Sequence, residues 1–163
     1  MNDICIGLFG TCGGSKWRVP FETKYAELGI VSFDPVKENW TPDDAQIEAE
    51  HLANDNIVLF PVTSETYGLG SLAETGFSIL SAARIDKQRF IIVMIDKDVD
   101  QKLKEENPLT ATESIRSRAL VRAHLTKVKY PNVYIVNTLD EMLEASIVVH
   151  DALLKLKQIE RFK

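Results

Sequence analysis

Residues 57–76 read IVLFPVTSETYGLGSLAETG, and this stretch decides the fold. Its first six residues are continuously apolar, which predicts a strand buried on both faces, as in a parallel sheet. The glycine-rich segment that starts at Gly68 then opens a helical pattern. A strand that leads through a short loop into a helix is the repeating unit of α/β folds, so we expect further units of this kind along the chain.

The same alternation of apolar runs and amphipathic segments continues along the sequence. Strands are predicted over residues 4–9, 30–33, 57–62, 90–95 and 133–136. Helices are predicted over residues 19–28, 42–53, 72–83, 114–129 and 139–157. Five βα units predict a single three-layer α/β domain over residues 1–163, flavodoxin-like or Rossmann-like, with a five-stranded parallel sheet. The polar segment 96–112, which contains Pro108, is predicted to be an insertion or lid after the fourth strand.

Composition restricts the class of partner and the compartment. With 163 residues and a net charge of −5, the chain is long enough for one stable core and is a poor match for a nucleic-acid polymer. Cys5 and Cys12 form neither a disulfide framework nor a paired metal-ligand spacing, and no apolar run reaches the length of a membrane span. We therefore expect a cytoplasmic protein without a membrane partner.

Glu74 is the first candidate for chemistry, because it lies just past the carboxyl end of the predicted strand 57–62. Ligands of open parallel sheets bind at such strand ends, and a helix N-terminus there favours an ionised carboxylate. A positioned, ionised Glu is the group that attacks a sugar anomeric carbon in covalent glycosyl transfer. The alternative is structural, since Ser71 and Glu74 also match a capping box that starts a helix.

The loop after the first strand, residues 10–18, is a second candidate site. Its glycines would let the backbone approach an anion, its hydroxyls would donate hydrogen bonds, and its basic residues would supply charge. These residues are Gly10, Thr11, Gly13, Gly14, Ser15, Lys16 and Arg18. Their order matches neither the dinucleotide fingerprint nor the Walker sequence, so a phosphate-holding loop is one interpretation and an ordinary glycine-rich turn is the other.

Further polar and aromatic residues fall at the same predicted edge of the sheet. Asp34 follows the second strand. Trp17 and Trp40 would sandwich a purine or pyrimidine if their indoles are exposed, and the alternative is that they pack into the core. The helix before the third strand carries Glu48 and Glu50, which are candidate general acids or, alternatively, charges on a solvated helix face.

With these residues assembled, the sequence resembles the nucleoside 2-deoxyribosyltransferase superfamily over residues 4–77. It is most similar to the deoxyribosyltransferase-like branch and to the related deoxynucleoside 5′-monophosphate N-glycosidases. The strongest element is the pattern Gly-x-Gly-x-x-x-Glu-x-Gly at Gly68, Gly70, Glu74 and Gly76, in which the family's Glu attacks the sugar C1′. The 10–18 loop is similar to the loop that binds a 5′-phosphate in the glycosidase branch.

The sequence also departs from the family pattern. Transferases that act on free nucleosides often have an Asp six residues before the nucleophile, where this chain has Gly68. A second family acid, on the helix before the third strand, would fall near Ile47, which has no proton to donate. Glu48 is the obvious substitute, but one residue along a helix is a rotation of about 100°. Asp55 matches a recurring Asp whose implied role is to shape the start of the third strand.

The resemblance implies cleavage or transfer of the N-glycosidic bond of a (deoxy)nucleoside or nucleoside 5′-monophosphate. Glu74 would attack C1′, Glu48 or Glu50 would assist the departing base, and the 10–18 loop together with Gly70 and Ser71 would contribute to substrate binding. No metal and no organic cofactor would be required. The alternatives are a catalytically weak nucleotide-binding sensor or regulatory module of the same fold, and a flavin-binding relative of flavodoxin.

The last predicted helix is wider in apolar residues than a surface helix needs. Two neighbouring stripes are formed by Met142, Val149, Leu153 and Leu156 and by Leu143, Ile147 and Leu154. One stripe suffices to face a core, so the second predicts burial against another subunit. The resemblance implies the same, and we expect a homodimer or a higher homo-oligomer.

Overall fold

The computed structural model describes residues 4–39, 41–75, 89–160 and 162 of the chain. Its centre is a five-stranded, all-parallel sheet in the order β2-β1-β3-β4-β5. The strands are β1 (Cys5–Leu8), β2 (Val31–Phe33), β3 (Ile57–Val62), β4 (Phe90–Ile95) and β5 (Val133–Val136). The predicted three-layer, flavodoxin-like α/β fold is confirmed.

Helices cover both faces of this sheet. They are α1 (Arg18–Leu28), α2 (Pro42–Asn54), α3 (Leu69–Glu74), α4 (Gln101–Glu106), α5 (Pro108–Val128) and α6 (Leu139–Glu160). Alternate residues of each strand feed two separate apolar clusters, because side chains point to opposite faces of a sheet in turn. One cluster contains Leu59 and Met94 with Phe21 of α1 and Met142 of α6. The other contains Phe60 with residues of α2, α3 and α5.

The segment 96–112 differs from its prediction. It contains α4 and the start of α5 in place of a lid. Asn107 caps α5, since its side chain accepts a hydrogen bond from the Thr110 N–H at 3.1 Å. Pro108 follows in the first turn, where the missing N–H has no intrahelical partner to lose. Of the predicted helix 72–83, the part from residue 76 onward, including Gly76, lies outside the described residues.

Most of α6 packs on the sheet. Met142 is fully buried, and the partly buried residues that pack against this core include Leu143, Ile147, Val149 and Leu153. Both predicted stripes therefore contribute to the protein's own core. Leu154 and Leu156 remain exposed, at 42% and 57%. Within the described part of the chain, no helix combines the length and apolar character needed to cross a membrane.

The topology positions the site. The chain leaves β1 toward α1 on one face of the sheet and leaves β3 toward α3 on the other. A crevice forms where neighbouring parallel strands send their connections to opposite faces, and ligands of such folds bind there. The 10–18 loop and the segment that carries Glu74 both start at this point.

Candidate active site

Glu74 is the last described residue of α3. This helix begins after Gly68, which occupies the N-cap position without any side-chain capping bond. Ser71 is therefore the third residue of the helix and cannot be its cap, so the capping box does not form. Glu74 also lies beyond the first turn, where the helix dipole would favour an ionised carboxylate. Its pKa is raised, chiefly by partial burial of the carboxyl group.

Glu48, on α2, is the charged neighbour of Glu74. After burial, the negative charge of Glu48 is the second cause that raises the pKa of Glu74. Burial also raises the pKa of Glu48 itself, and the smaller influence of Arg18 opposes that rise. The charge of Glu48 therefore favours the protonated form of Glu74.

The rotation of α2 selects Glu48 from the acidic residues considered. Ile47, where the family pattern expects an acid, is 41% exposed. Glu50 is also exposed, and its carboxylate accepts a hydrogen bond from Gln46 at 3.4 Å. Two residues along an α-helix correspond to a rotation of about 200°, so Glu50 lies on the side of α2 away from Glu48. Of these two residues, Glu48 is the one whose charge raises the pKa of Glu74.

Gly68 has a structural reason to be glycine. Its φ is +64°, a left-handed conformation that side chains rarely adopt. A Cβ there would lie 2.7 Å from Val62 Cγ1 and 3.1 Å from Arg118 Nη2. An Asp at this position, as in family transferases, has no room in this conformation. Gly70 is different, because a Cβ there would meet no described atom within 4 Å.

Arg118 is a fully buried residue that sequence reasoning missed. Its guanidinium donates to the carbonyl oxygens of Val62, Thr63, Thr66 and Asp96 at 2.8–3.2 Å. One cation thus holds together the ends of β3 and β4 and the loop that leads into α3. Arg118 lies on a helix that has many exposed residues, so nothing in the sequence indicated that its side chain would be buried against these carbonyl oxygens.

The start of the 10–18 loop is built into the protein interior. Thr11 is buried, donates its hydroxyl hydrogen to the Pro61 carbonyl at 3.2 Å and accepts the Thr63 N–H at 2.9 Å. The indole of Trp17 is only 4% exposed and donates to the Thr11 carbonyl at 2.9 Å. The expectation of an exposed indole at Trp17 is therefore wrong. Trp40 lies outside the described residues.

Arg18 is the second buried cation at this edge. Its guanidinium donates to the carbonyl oxygens of Leu8 and Thr11, each at 2.8 Å, and lies 3.1 Å from the Asp34 carboxylate. Asp34 in turn accepts the Val36 N–H at 2.8 Å. The guanidinium is thereby committed to the protein, which corrects the expectation that Arg18 is a free anion-binding charge. Asp34 belongs to the same structural pair.

The tip of the loop remains accessible. Gly13 and Gly14 are exposed and have positive φ values of +72° and +89°. Gly10 makes the turn that leads to them, and a Cβ there would lie 2.4 Å from the Pro61 carbonyl oxygen. Ser15 donates its hydroxyl hydrogen to Glu65, which also accepts from Thr63. The part of the loop that is open to a ligand is thus 12–16, not the whole of 10–18.

A cavity of about 560 Å³ opens beside this tip, at the carboxyl ends of β3, β4 and β5. Its polar lining includes Lys16, Glu65, Asp96 and Asn137. Asp96 accepts the Ser64 N–H at 2.7 Å, and burial raises its pKa. Sequence reasoning missed Asp96 and Asn137, although each follows directly after a predicted strand, which is the signal that could have found them.

No protein-family model matches the chain, and no curated protein is significantly similar to it. The chemical capacity of the site lies in its two carboxyl groups. Glu74 can attack an electrophilic carbon when it is ionised, and Glu48 can donate a proton when it is protonated.

Proposed function

We propose that this protein cleaves or transfers the N-glycosidic bond of a nucleoside or nucleoside 5′-monophosphate. The observation that carries the proposal is the electrostatic pairing of Glu48 and Glu74 at the carboxyl edge of the sheet. Glu74 has no capping role, and its side chain is exposed at this edge, where a substrate can reach it. Paired carboxyl groups are the usual equipment for breaking a bond at an anomeric carbon.

In the first step, a Glu74 carboxylate oxygen attacks C1′ while the bond from C1′ to the base nitrogen breaks. The bonding electrons leave with the base, which takes the proton from Glu48. The transition state has oxocarbenium character, so the negative charge of Glu74 stabilises it before the new bond is complete. The products are the free base and a sugar joined to Glu74 by an ester.

In the second step, the ester is resolved. Glu48, now ionised, takes a proton from water or from the nitrogen of a second base as that acceptor attacks C1′. Glu74 departs as a carboxylate, and the proton is back on Glu48. Water as the acceptor gives hydrolysis, and a second base gives transfer.

The loop tip is the proposed contact for the sugar or its 5′-phosphate. Exposed glycines with positive φ allow the backbone N–H groups of Gly13 and Gly14 to approach an anion. The Ser15 hydroxyl would have to exchange its bond to Glu65 for one to the substrate. Gly70 leaves open space beside α3, which would admit a ligand near Glu74.

The experiment that tests the proposal is incubation with a panel of nucleosides, deoxynucleosides and their 5′-monophosphates, followed by chromatography for the released base. We expect at least one member to lose its base, and Glu74→Gln to stop the release. Binding of a panel member without release, measured by calorimetry, would favour the sensor or regulatory module. If the protein neither binds any member of the panel nor releases a base from it, a nucleoside or nucleotide substrate is refuted.

We also propose a homodimer or higher homo-oligomer, supported by the apolar residues of α6 that remain exposed. Leu156 belongs to this surface, and Val148 and Ile159 on the same side of α6 extend it, at 61% and 56% exposed. Light scattering of the wild type tests the proposal, with Leu156→Glu as the disrupting variant. A wild type that scatters as an 18.3 kDa monomer would contradict it.

A further inference from the structure

A second cluster of reactive side chains lies at the opposite, amino edge of the sheet. Cys5 is the first residue of β1, His51 lies in the last turn of α2, and Asp55 directly precedes β3. One ligand atom from each residue can be chosen so that all three lie within 4.8 Å of one another. Among the described residues, no other group of three potential metal ligands converges in this way.

The Asp55 carboxylate is the centre of this cluster. It is 5% exposed, and its Oδ1 lies 2.9 Å from His51 Nδ1. Its Oδ2 is buried and has no hydrogen-bond partner of ordinary geometry among the described groups, and the Cys5 thiol is close enough to interact with the carboxylate. A buried polar atom is rarely left without a partner, so this oxygen indicates a ligand site. Gly7 leaves room for it, since a Cβ there would lie 2.6 Å from Oδ2.

Cysteine, histidine and aspartate also occur together in the active sites of thiol nucleophiles, but their arrangement here differs from the one that activates a thiol. A thiol nucleophile needs an imidazole that takes its proton, with the carboxylate behind the imidazole. Here burial, and after it the neighbouring Asp55 carboxylate, raise the pKa of Cys5 to about 12. This environment is the opposite of the one that lowers the pKa of a thiol nucleophile, so it does not favour catalysis by Cys5.

The imidazole is already held in one orientation. The ring of His51 stacks on the ring of Phe33, with centroids 3.6 Å apart and planes 2° from parallel. A ligand ring that is fixed before the metal arrives loses little freedom on binding. Cys5 is fixed through its backbone, because its N–H donates to Asn56 Oδ1 at 3.2 Å.

We propose that Cys5, His51 and Asp55 bind a divalent transition metal of the zinc class. A thiolate, an imidazole nitrogen and a carboxylate are the three ligand types that Zn²⁺ prefers, and three protein ligands leave a fourth tetrahedral position for water. Atoms bound to one tetrahedral Zn²⁺ lie about 3.3–3.7 Å apart, so ligand atoms already within 4.8 Å need only small side-chain movements.

Metal binding at this site displaces protons. The metal takes the place of the thiol hydrogen of Cys5, and that proton leaves to solvent. If His51 Nδ1 carries a hydrogen, that proton leaves to solvent, and a neutral ring regains one from solvent on Nε2. The hydrogen bond between His51 and Asp55 then gives way to one bond from each residue to the metal. Affinity must therefore rise with pH, because a proton competes with the metal for the thiolate.

This site would tie together β1, the end of α2 and the start of β3. Glu48 lies three residues before His51 on α2. A bound metal would therefore restrain the helix that carries the proposed general acid, at a distance from the chemistry itself. The metal proposal stands on its own three residues and does not depend on the glycosidic reaction.

Titration of the purified full chain with cobalt(II) tests the site. Thiolate bound to cobalt gives a charge-transfer band in the near ultraviolet, which reports the Cys5 sulfur directly. We expect the band to saturate at one cobalt per chain and to be displaced by zinc. Cys12→Ala provides the matched control, since Cys12 is the other cysteine and is exposed.

The variants have distinct expected outcomes. Cys5→Ala should lose the band, and His51→Gln should weaken cobalt binding at least 100-fold, while Cys12→Ala binds within about two-fold of the wild type. Circular dichroism verifies that each variant is folded, and His51→Gln covers the case in which Cys5→Ala does not fold. A wild type that shows no band, or a band that is lost in Cys12→Ala and kept in Cys5→Ala, would overturn the proposal.

Discussion

The 10–18 loop and the Glu48–Glu74 pair lie at the same edge of the sheet and differ in how their charges are treated. The Arg18 cation is buried with two carbonyl oxygens and the Asp34 carboxylate around it. Desolvation raises the pKa of both Glu48 and Glu74, and the charge of Glu48 raises the pKa of Glu74 further. The protein therefore provides hydrogen-bond partners and a counter-ion for the Arg18 cation, whereas the environment of Glu48 and Glu74 disfavours their charged forms.

This difference separates structure from chemistry at the site. A charged group whose hydrogen bonds are made within the protein contributes to stability, and its removal leaves its partners buried and unpaired. A carboxyl group whose environment disfavours its charge gains when a substrate cation or developing positive charge arrives. The comparison predicts stability effects at Arg18 and activity effects at Glu48 and Glu74.

The largest effect is expected at Glu74. Glu74→Gln removes the nucleophile and should reduce base release at least about 1,000-fold, measured as kcat/KM by chromatography. Its effect on stability should stay within about 1 kcal/mol in urea unfolding. At neutral pH the free energy of unfolding of Glu74→Gln should be slightly higher than that of the wild type. The raised pKa of Glu74 means that the fold disfavours its charged form, so the wild type loses stability as pH rises through that pKa. A large loss of stability with activity retained would make Glu74 structural.

The next effect is expected at Glu48, with Glu50 as the matched control on the same helix. Glu48→Gln removes the proton donor and should reduce base release by about 100-fold or more. Glu50→Gln removes the same charge from the other side of α2 and should leave kcat/KM within about two-fold. Equal losses in the two variants would mean that the net charge of α2 matters, and not the facing of Glu48 toward Glu74.

Stability is the expected readout at Arg18. Arg18→Ala leaves the Asp34 carboxylate and the Leu8 and Thr11 carbonyl oxygens without their cation, and should cost about 3–5 kcal/mol in urea unfolding. Arg116→Ala, at an exposed position, should change stability by less than about 0.5 kcal/mol. The contradicting result is an Arg18→Ala variant that is as stable as Arg116→Ala and loses affinity for monophosphates only. The loop would then be an anion-binding site, and the difference drawn here between a structural Arg18 and a chemical Glu48–Glu74 pair would be wrong.

The smallest effect is a shift in the pH dependence. Activity requires an ionised Glu74 and a protonated Glu48, so it should fall at low pH, where Glu74 is protonated, and at high pH, where Glu48 has lost its proton. Glu48→Gln has no proton to lose, so its residual activity should lack the alkaline limb. Its acid limb should lie at or below the pH of the wild-type limb, because the charge of Glu48 can only raise the pKa of Glu74. An alkaline limb that persists in Glu48→Gln would contradict the role of Glu48 as proton donor.

The sequence predicted the sheet well because its signals there are local. Continuous apolar runs bounded by polar residues mark β3, β4 and β5 at their observed bounds. The helices of segment 96–112 were not predicted, because the segment is polar and has no apolar periodicity, although Asn107 before Pro108 matches a helix start. For Glu48 the sequence left two alternatives open, a general acid and a charge on a solvated helix face.

What the sequence did not supply is orientation and burial. The choice among Ile47, Glu48 and Glu50 depends on the rotation of α2, which is fixed by its packing and not by residue type. The burial of Trp17 and Arg18 depends on the loop folding back over the ends of β1 and β3, a long-range event with no local signal. Arg118 is hidden for the same reason, since its partners lie 22–56 residues away in the chain.

The most direct test of the central claim is to find the ester on Glu74. The protein is mixed with a deoxynucleoside or monophosphate that loses its base, quenched in acid within the first turnover, and measured by intact-mass and peptide mass spectrometry. We expect a gain of one deoxyribosyl group, with or without phosphate, on the peptide that contains Glu74, and no gain in Glu74→Gln. Base release at full rate by Glu74→Gln, or a sugar adduct on another residue, would contradict the account.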